Sequence, residues 1–180
     1  MKKKLYFKNV YVYDLLDHRD IRGFFIELFN KKQIYNLLKI NFKCCQTSLA
    51  YSKKNVFRGF HFQKTKPIGQ LITVIRGKVD YYFVDIRKNS KTFGKYRKIL
   101  LSHKNKKILY LPEGFAGGYH CLDDQNFVLY HHNDFFYKKF DDGFNVFSKN
   151  FNLKISKKVT RSNKDRNLRT FEEIKSQILK

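Results

Sequence analysis

A chain of 180 residues, 42% of them hydrophobic, has the size of one folded domain and is too apolar for a disordered segment. Its formal net charge is +23, from 38 Lys and Arg against 15 Asp and Glu, a balance that taken alone points to nucleic acid. No apolar run approaches the ~18 residues of a membrane helix. The basic start Met1-Lys2-Lys3-Lys4 leads into Tyr6-Phe7-Lys8-Asn9 and not into an apolar signal stretch, so a cytoplasmic protein is expected.

In chain order the pattern is one of short strands. Residues 9–13 alternate around Val10 and Val12, and 24–28 form a second strand. Residues 32–39 carry Ile34, Leu37 and Leu38 at helical spacing and predict one short helix. Strands resume at 43–51 and 56–63. The β-rich runs 71–76 and 79–87, joined at Gly77-Lys78, read as a hairpin. Further strands are predicted at 98–102, 108–111, 115–121 and 127–131, and then near 144–147 and 151–155. Pro67 and Pro112 fall at strand starts, where a missing N–H is tolerated. Thr170-Phe171-Glu172-Glu173 is a capping box that opens a C-terminal helix running to Leu179. With no internal repeat and no linker, residues 1–180 read as a single all-β domain, one antiparallel sandwich or barrel with small helical additions.

The charge is diffuse. Only nine of the basic residues are arginine; the lysines run from Lys2 to Lys180 and come closest to clustering at 2–4 and at Lys104, Lys106 and Lys107. Without a basic helix or a recognised nucleic-acid motif, this reads as surface solvation and not as a polyanion groove. Cys44, Cys45 and Cys121 offer no CxxC pair. Buried free thiols are expected, with the adjacent Cys44 and Cys45 on opposite faces of a strand, and no zinc site.

Chemistry-bearing residues concentrate in a few segments. Arg58-Gly59-Phe60-His61-Phe62-Gln63 is the densest polar run within a strand. Strict alternation would part Arg58 from His61, but a bulge at Gly59 would turn both inward. The others are the glycine-rich run 111–120, Tyr130 in an apolar run ending at His131 and His132, and Ser162-Asn163-Lys164-Asp165.

Taken in order, these segments resemble the dTDP-4-dehydrorhamnose 3,5-epimerase family. The resemblance runs through Asp20-Ile21-Arg22-Gly23-Phe24-Phe25-Ile26-Glu27, Gln46-Thr47-Ser48, the Arg58–Gln63 run, Val84-Asp85-Ile86-Arg87 to Gly94, Pro112-Glu113-Gly114-Phe115-Ala116, Tyr130 and Ser162–Asp165, nearly the whole chain. It implies a cupin-type jelly roll, a strand-exchanging homodimer, and a cofactor-independent epimerase acting on a nucleoside-diphosphate 4-keto-6-deoxy sugar. By the same resemblance His61 is the base, Asp165 its partner and Tyr130 the acid, and Arg58 stabilises the enolate oxyanion. Arg22 matches a diphosphate contact, and Phe24, Glu27, Gln46, Ser48, Gln70 and Lys164 match positions that contact the sugar or nucleotide. Metal-binding cupins carry a His-x-His pair, whereas Phe62 and Gln63 follow His61 and Gly117 stands at a later histidine position, so no metal is expected.

Departures from the pattern shape the expected substrate. Gln70 replaces a lysine beside the sugar keto group, Gly117 replaces a histidine, and Ser48 stands where many members carry Asn. His120 has the wrong strand parity to substitute for the missing histidine. The expectation is an active epimerase with a shifted substrate, hexose or heptose, working at C3 or at C3 and C5, and supplying a surface polysaccharide. The alternatives are a cupin that holds a nucleotide sugar without turning it over, a 3,4-ketoisomerase of related type, which would carry a His pair near this strand, and, on charge alone, a nucleic-acid-binding protein.

Overall fold

The computed structural model describes residues 3–179; Met1, Lys2 and Lys180, the outer ends of the basic start and of the lysine scatter, lie outside the described residues. The elements are β1 (Lys3–Leu5), β2 (Tyr11–Asp14), β3 (Asp17–Asp20), β4 (Gly23–Ile26), α1 (Lys31–Leu38), β5 (Gln46–Lys53), β6 (Phe57–Gln63), β7 (Gln70–Arg76), β8 (Lys78–Asp85), β9 (Tyr96–Ser102), β10 (Lys107–Leu111), β11 (Phe115–Cys121), β12 (Gln125–His132), β13 (Asp141–Gly143), α2 (Asn163–Arg166) and α3 (Phe171–Leu179). Among the described residues no helix is long and apolar enough to cross a membrane.

Two antiparallel sheets face each other. One is six-stranded, in the order β1-β2-β10-β7-β12-β5; the other is five-stranded, β13-β6-β11-β8-β9. Period-two alternation sends one set of side chains inward from each. Val12, Ile72, Val74 and Val128 from the first sheet meet Val79, Phe83, Leu101 and Phe115 from the second in a shared core. The arrangement is an antiparallel sandwich, as the alternating sequence predicts, and of the cupin-type jelly-roll kind that the resemblance implies.

The outer faces are covered too. Ile34 and Leu38 of α1, with Phe42, pack on Tyr13, Leu71, Ile108 and Tyr110. The helix starts at Asn30, whose side chain accepts from the Gln33 N–H, and ends at Lys39 in the left-handed region, φ 59°. On the opposite flank, Phe144, Val146, Phe151, Phe171 and Ile174 cover Phe57, Phe60, Tyr82 and Val84. The capping box of α3 forms in both directions: Thr170 N–H donates to Glu173 Oε2 at 2.6 Å, and Glu173 N–H to Thr170 Oγ1 at 3.3 Å.

Three expectations are corrected. Strands β7 and β8 are not a hairpin: β7 pairs with β10 and β12, and β8 with β9 and β11. Gly77, at φ +82°, carries the chain from one sheet to the other, and Lys78 N–H donates to Asn126 Oδ1 at 3.0 Å beside it. No strand is assigned over 144–155. That aromatic stretch buries its side chains against the five-stranded sheet, and its ladder continues β13 only through the paired Phe60 and Phe144 backbones. Cys44 and Cys45 precede β5 in a loop and are half-buried, while Cys121 is buried; all of them are free thiols.

β3 and β4 form a hairpin of their own that joins neither large sheet. Its apolar residues Ile21, Phe24 and Phe25 are exposed.

Candidate active site

The register of β6 against β11 steps from Tyr119 opposite Arg58 to Gly117 opposite His61, so β6 holds one residue more than its partner across this stretch. This is the bulge expected at Gly59. Gly59 sits at φ +119°, and a Cβ there would lie 2.6 Å from Gly118 Cα and 2.7 Å from Gly117 O. Only glycine fits. The extra residue sends both Phe57 and Phe60 into the outer core and leaves Arg58 and His61 facing the gap between the sheets.

That gap is a cleft of ≈ 460 Å³, lined among others by Gln46, Ser48, Arg58, His61, Gln70, Tyr130 and Lys164. Across the six-stranded sheet the pairing puts Gln46, His132 and Gln70 in one row and Ser48, Tyr130 and Ile72 in the next. The five-stranded sheet supplies Arg58, His61, Gly117, Tyr119 and Tyr81 from the other side.

His61 Nε2 lies 2.7 Å from Asp165 Oδ1. Asp165 is carried by α2, whose cap Ser162 accepts from the Asp165 N–H at 3.0 Å. Its carboxylate is only 3% exposed. Burial pushes the carboxyl pKa up, but the His61 hydrogen bond, the His61 charge and the Gly59 N–H together bring it below the ordinary value. An ionised carboxylate only accepts, so the shared hydrogen belongs to Nε2. Nδ1 has no partner among the described residues and can take up a proton.

Tyr130 faces this pair from the opposite sheet. Burial, then Tyr119 and Tyr81 nearby, raises its hydroxyl pKa well above the ordinary value, so it stands as a neutral phenol. Arg58 Nε donates to Ser52 Oγ at 2.9 Å and Nη2 to Tyr51 O at 3.0 Å, which fixes the guanidinium at the rim. Gln46 Nε2 donates to Ser48 Oγ at 3.1 Å, and Gln46 Oε1 accepts from the Phe136 N–H at 3.0 Å. Lys164 pairs with Asp141.

Arg22, Phe24 and Glu27 are not at this cleft within the chain. Arg22 and Phe24 border a separate hollow at the β3–β4 hairpin, where Arg22 Nη2 is held by Asp20 at 2.5 Å. Glu27 accepts from Gln33 Nε2 at 2.6 Å at the start of α1. His120 turns to Asn55 on the other face, 3.3 Å away, as its parity predicts.

His132 and Tyr119 lie in segments that the sequence singles out but had no role assigned to them, and Tyr81 was missed outright. His132 was findable, since two residues on from Tyr130 it shares that face. Burial, with His131 beside it, pushes its pKa down to about 4, so it is a neutral imidazole whose Nδ1 lies 3.4 Å from Gln70 Nε2. The lining places a neutral amide–imidazole pair where the resemblance led one to expect a lysine. Among the described residues no three His, Cys, Asp or Glu side chains converge in the manner of a metal centre.

The family profile of dTDP-4-dehydrorhamnose 3,5-epimerase matches residues 4–173. A relative of that name from Methanothermobacter thermautotrophicus is 37% identical over 126 residues, 70% of this chain and 68% of its own. The crystal structure of a dTDP-4-dehydrorhamnose 3,5-epimerase from Bacillus anthracis, with TDP and pyrophosphate bound, superposes with TM-score 0.89 at 31% identity, covering 93% of this chain and 97% of its own. That of a dTDP-6-deoxy-D-glucose-3,5-epimerase from Legionella pneumophila, in complex with dTDP-4-keto-L-rhamnose, gives TM-score 0.89 at 29% identity, covering 95% of this chain and 92% of its own. The chain belongs to the dTDP-4-dehydrorhamnose 3,5-epimerase family and is an isomerase of the nucleotide-sugar epimerase class.

Proposed function

We propose that this epimerase acts at C3, and at C5 where the substrate allows, of a nucleoside-diphosphate 4-keto-6-deoxy sugar. The C4 ketone acidifies both positions. His61 Nδ1 takes the proton, the electron pair moves onto the C4 oxygen as an enolate, and the Tyr130 hydroxyl returns a proton to the opposite face of the same carbon. Asp165 holds the imidazole in one tautomer and stabilises its charged form. Arg58 adds positive charge near the enolate. The reaction is redox-neutral as written and needs no cofactor. Thymidine-linked sugars are the first substrates to offer, because the solved relatives hold TDP or a dTDP sugar.

The observation that carries this reading is the 2.7 Å bond between His61 and a nearly sealed Asp165, at the edge of a cleft whose far wall bears Tyr130. We assign the hairpin residues Arg22, Phe24 and Glu27 to the cleft of a second copy, in a homodimer that exchanges this arm. A cytoplasmic supply of deoxy sugars, hexose or heptose, to a surface polysaccharide is the role we infer.

Turnover in D2O with dTDP- and GDP-linked 4-keto sugars, scored for deuterium at C3 and C5, tests the reaction. Incorporation is expected at C3 in the wild-type protein, with a loss of about 10²-fold or more in His61→Asn, and a comparable loss of inverted product in Tyr130→Phe. Incorporation at neither carbon with any sugar, alongside tight sugar binding, would instead support the binding-only alternative, which the neutral Gln70–His132 pair favours.

A further inference from the structure

Gly117 has none of the positive φ that makes glycine obligatory. What excludes a side chain there is another residue. A Cβ on Gly117 would lie 2.4 Å from the Tyr81 hydroxyl and 3.3 Å from its ring carbon Cζ. Tyr81 reaches across from the neighbouring strand β8, where it pairs with Tyr119. Gly117 in turn pairs with His61 on its other side. The hydroxyl therefore occupies the place of a missing side chain directly across the ladder from His61.

Its position is rigid. Tyr81 is 2% exposed, and its ring stacks on Tyr119 with centroids 6.2 Å apart and an interplanar angle of 12°. Yet its hydroxyl receives and gives no hydrogen bond among the described residues. Unlike the Tyr119 hydroxyl, which is sealed, it belongs to a side chain that lines the cleft without being enclosed. The amide and cationic side chains around it are already engaged: Gln46 with Ser48, Arg58 with Ser52, Gln70 with His132, and Lys164 with Asp141. A buried hydroxyl normally has a partner, and the open direction here is the cleft. Burial raises its pKa, which keeps it a neutral donor.

We propose that the Tyr81 hydroxyl, admitted by Gly117, donates a hydrogen bond to the sugar's carbonyl oxygen as that oxygen takes on enolate charge. This assignment rests on the epimerase reading above and gives the two tyrosine hydroxyls separate tasks. Tyr130 gives its proton to carbon, while Tyr81 keeps its own and holds the oxygen.

A double-mutant cycle tests it. Tyr81→Phe removes the hydroxyl alone, and Gly117→Ala puts a methyl group where the hydroxyl stands. Each is expected to lower kcat about 10- to 100-fold, with the Kd for the free nucleoside diphosphate unchanged. The double variant should be no slower than the slower single one, because both changes remove the same bond. An unaltered kcat in a Tyr81→Phe enzyme that melts like the wild type overturns the assignment, as do losses that multiply in the double variant. Absence of C3 deuterium exchange in the wild-type protein would fell the epimerase reading and this assignment together; wild-type exchange with an unaltered Tyr81→Phe enzyme fells this assignment alone.

Discussion

His132 is buried in the wall of the cleft with Gln70 as its hydrogen-bond partner, and desolvation keeps it neutral. Its pKa in the folded chain is about 4, against 6.5 for an unperturbed histidine. The folded state therefore takes up that proton less readily than the unfolded chain. Stability should be flat above about pH 6.5, fall as pH drops through the interval, and level off below about 4. The loss is about 3 kcal/mol if His132 acts alone. Urea titrations between pH 7 and 4 measure it, and His132→Gln should flatten the slope; an unchanged slope would place the effect elsewhere. At this scale the motif residues were legible in the sequence because each carries its own chemistry. His61, Tyr130, Gln46, Ser48, Arg58, Gln70 and Lys164 do line one cleft. Tyr81 was not legible. Nothing in a run of aromatic strand residues says which hydroxyl a glycine on the next strand will admit.

Among elements, the turn at Gly77 is the instructive case. A glycine between two β-rich runs has the local signature of a hairpin, yet these strands part into different sheets. What decides between the two is long-range pairing with β10, β12, β9 and β11, which no local pattern encodes. The 144–155 segment fails for a related reason. Its aromatic residues carry strand propensity, but their burial comes from covering a sheet and not from joining one. By contrast, β11 appears with its expected bounds, Phe115–Cys121, where alternation and flanking turns agree. The Gly77 geometry makes a quantitative prediction. A Cβ there would lie 2.2 Å from Gln125 O, whereas at Gly94, with a similar φ of +73°, the nearest atom is a Phe171 ring carbon at 3.4 Å. Both alanine variants bear the left-handed strain, so the difference isolates the clash. Gly77→Ala is expected to cost at least about 2 kcal/mol in urea unfolding, and clearly more than Gly94→Ala; equal losses would refute the clash.

At the scale of the whole molecule, the +23 charge and the exposed hairpin are the features that a single chain does not explain. The lysines are spread over the surface, and among the described residues only a minority pair with a carboxylate, as in Lys64–Asp142, Lys98–Asp80 and Lys107–Asp14. Such exposed pairs contribute little stability. The hairpin leaves Phe24 and Phe25 about two-thirds exposed, 65% and 66%, on an arm whose strands pair with neither large sheet. If that arm completes the cleft of a second copy, lesions in the two places should complement. Co-expressed Arg22→Ala and His61→Asn chains would form mixed dimers in which one cleft has both groups intact. At low substrate, activity is then expected at about a quarter of the wild-type level from statistical pairing, from chains that are each far weaker alone. No gain on mixing, with dimers shown by sedimentation, would mean the arm serves its own chain.

The bond between His61 and Asp165 also has a consequence in time. It joins residues 104 apart in sequence, and Asp165 arrives on a one-turn helix that follows the aromatic cover of residues 144–160. Until that cover docks, the imidazole has no carboxylate. On the epimerase reading, activity is therefore expected to be the last property a refolding chain acquires. On dilution from denaturant, recovered turnover is expected to lag the far-ultraviolet dichroism of the sheets. Simultaneous recovery of the two signals would show that the cover and the sandwich form as one cooperative unit.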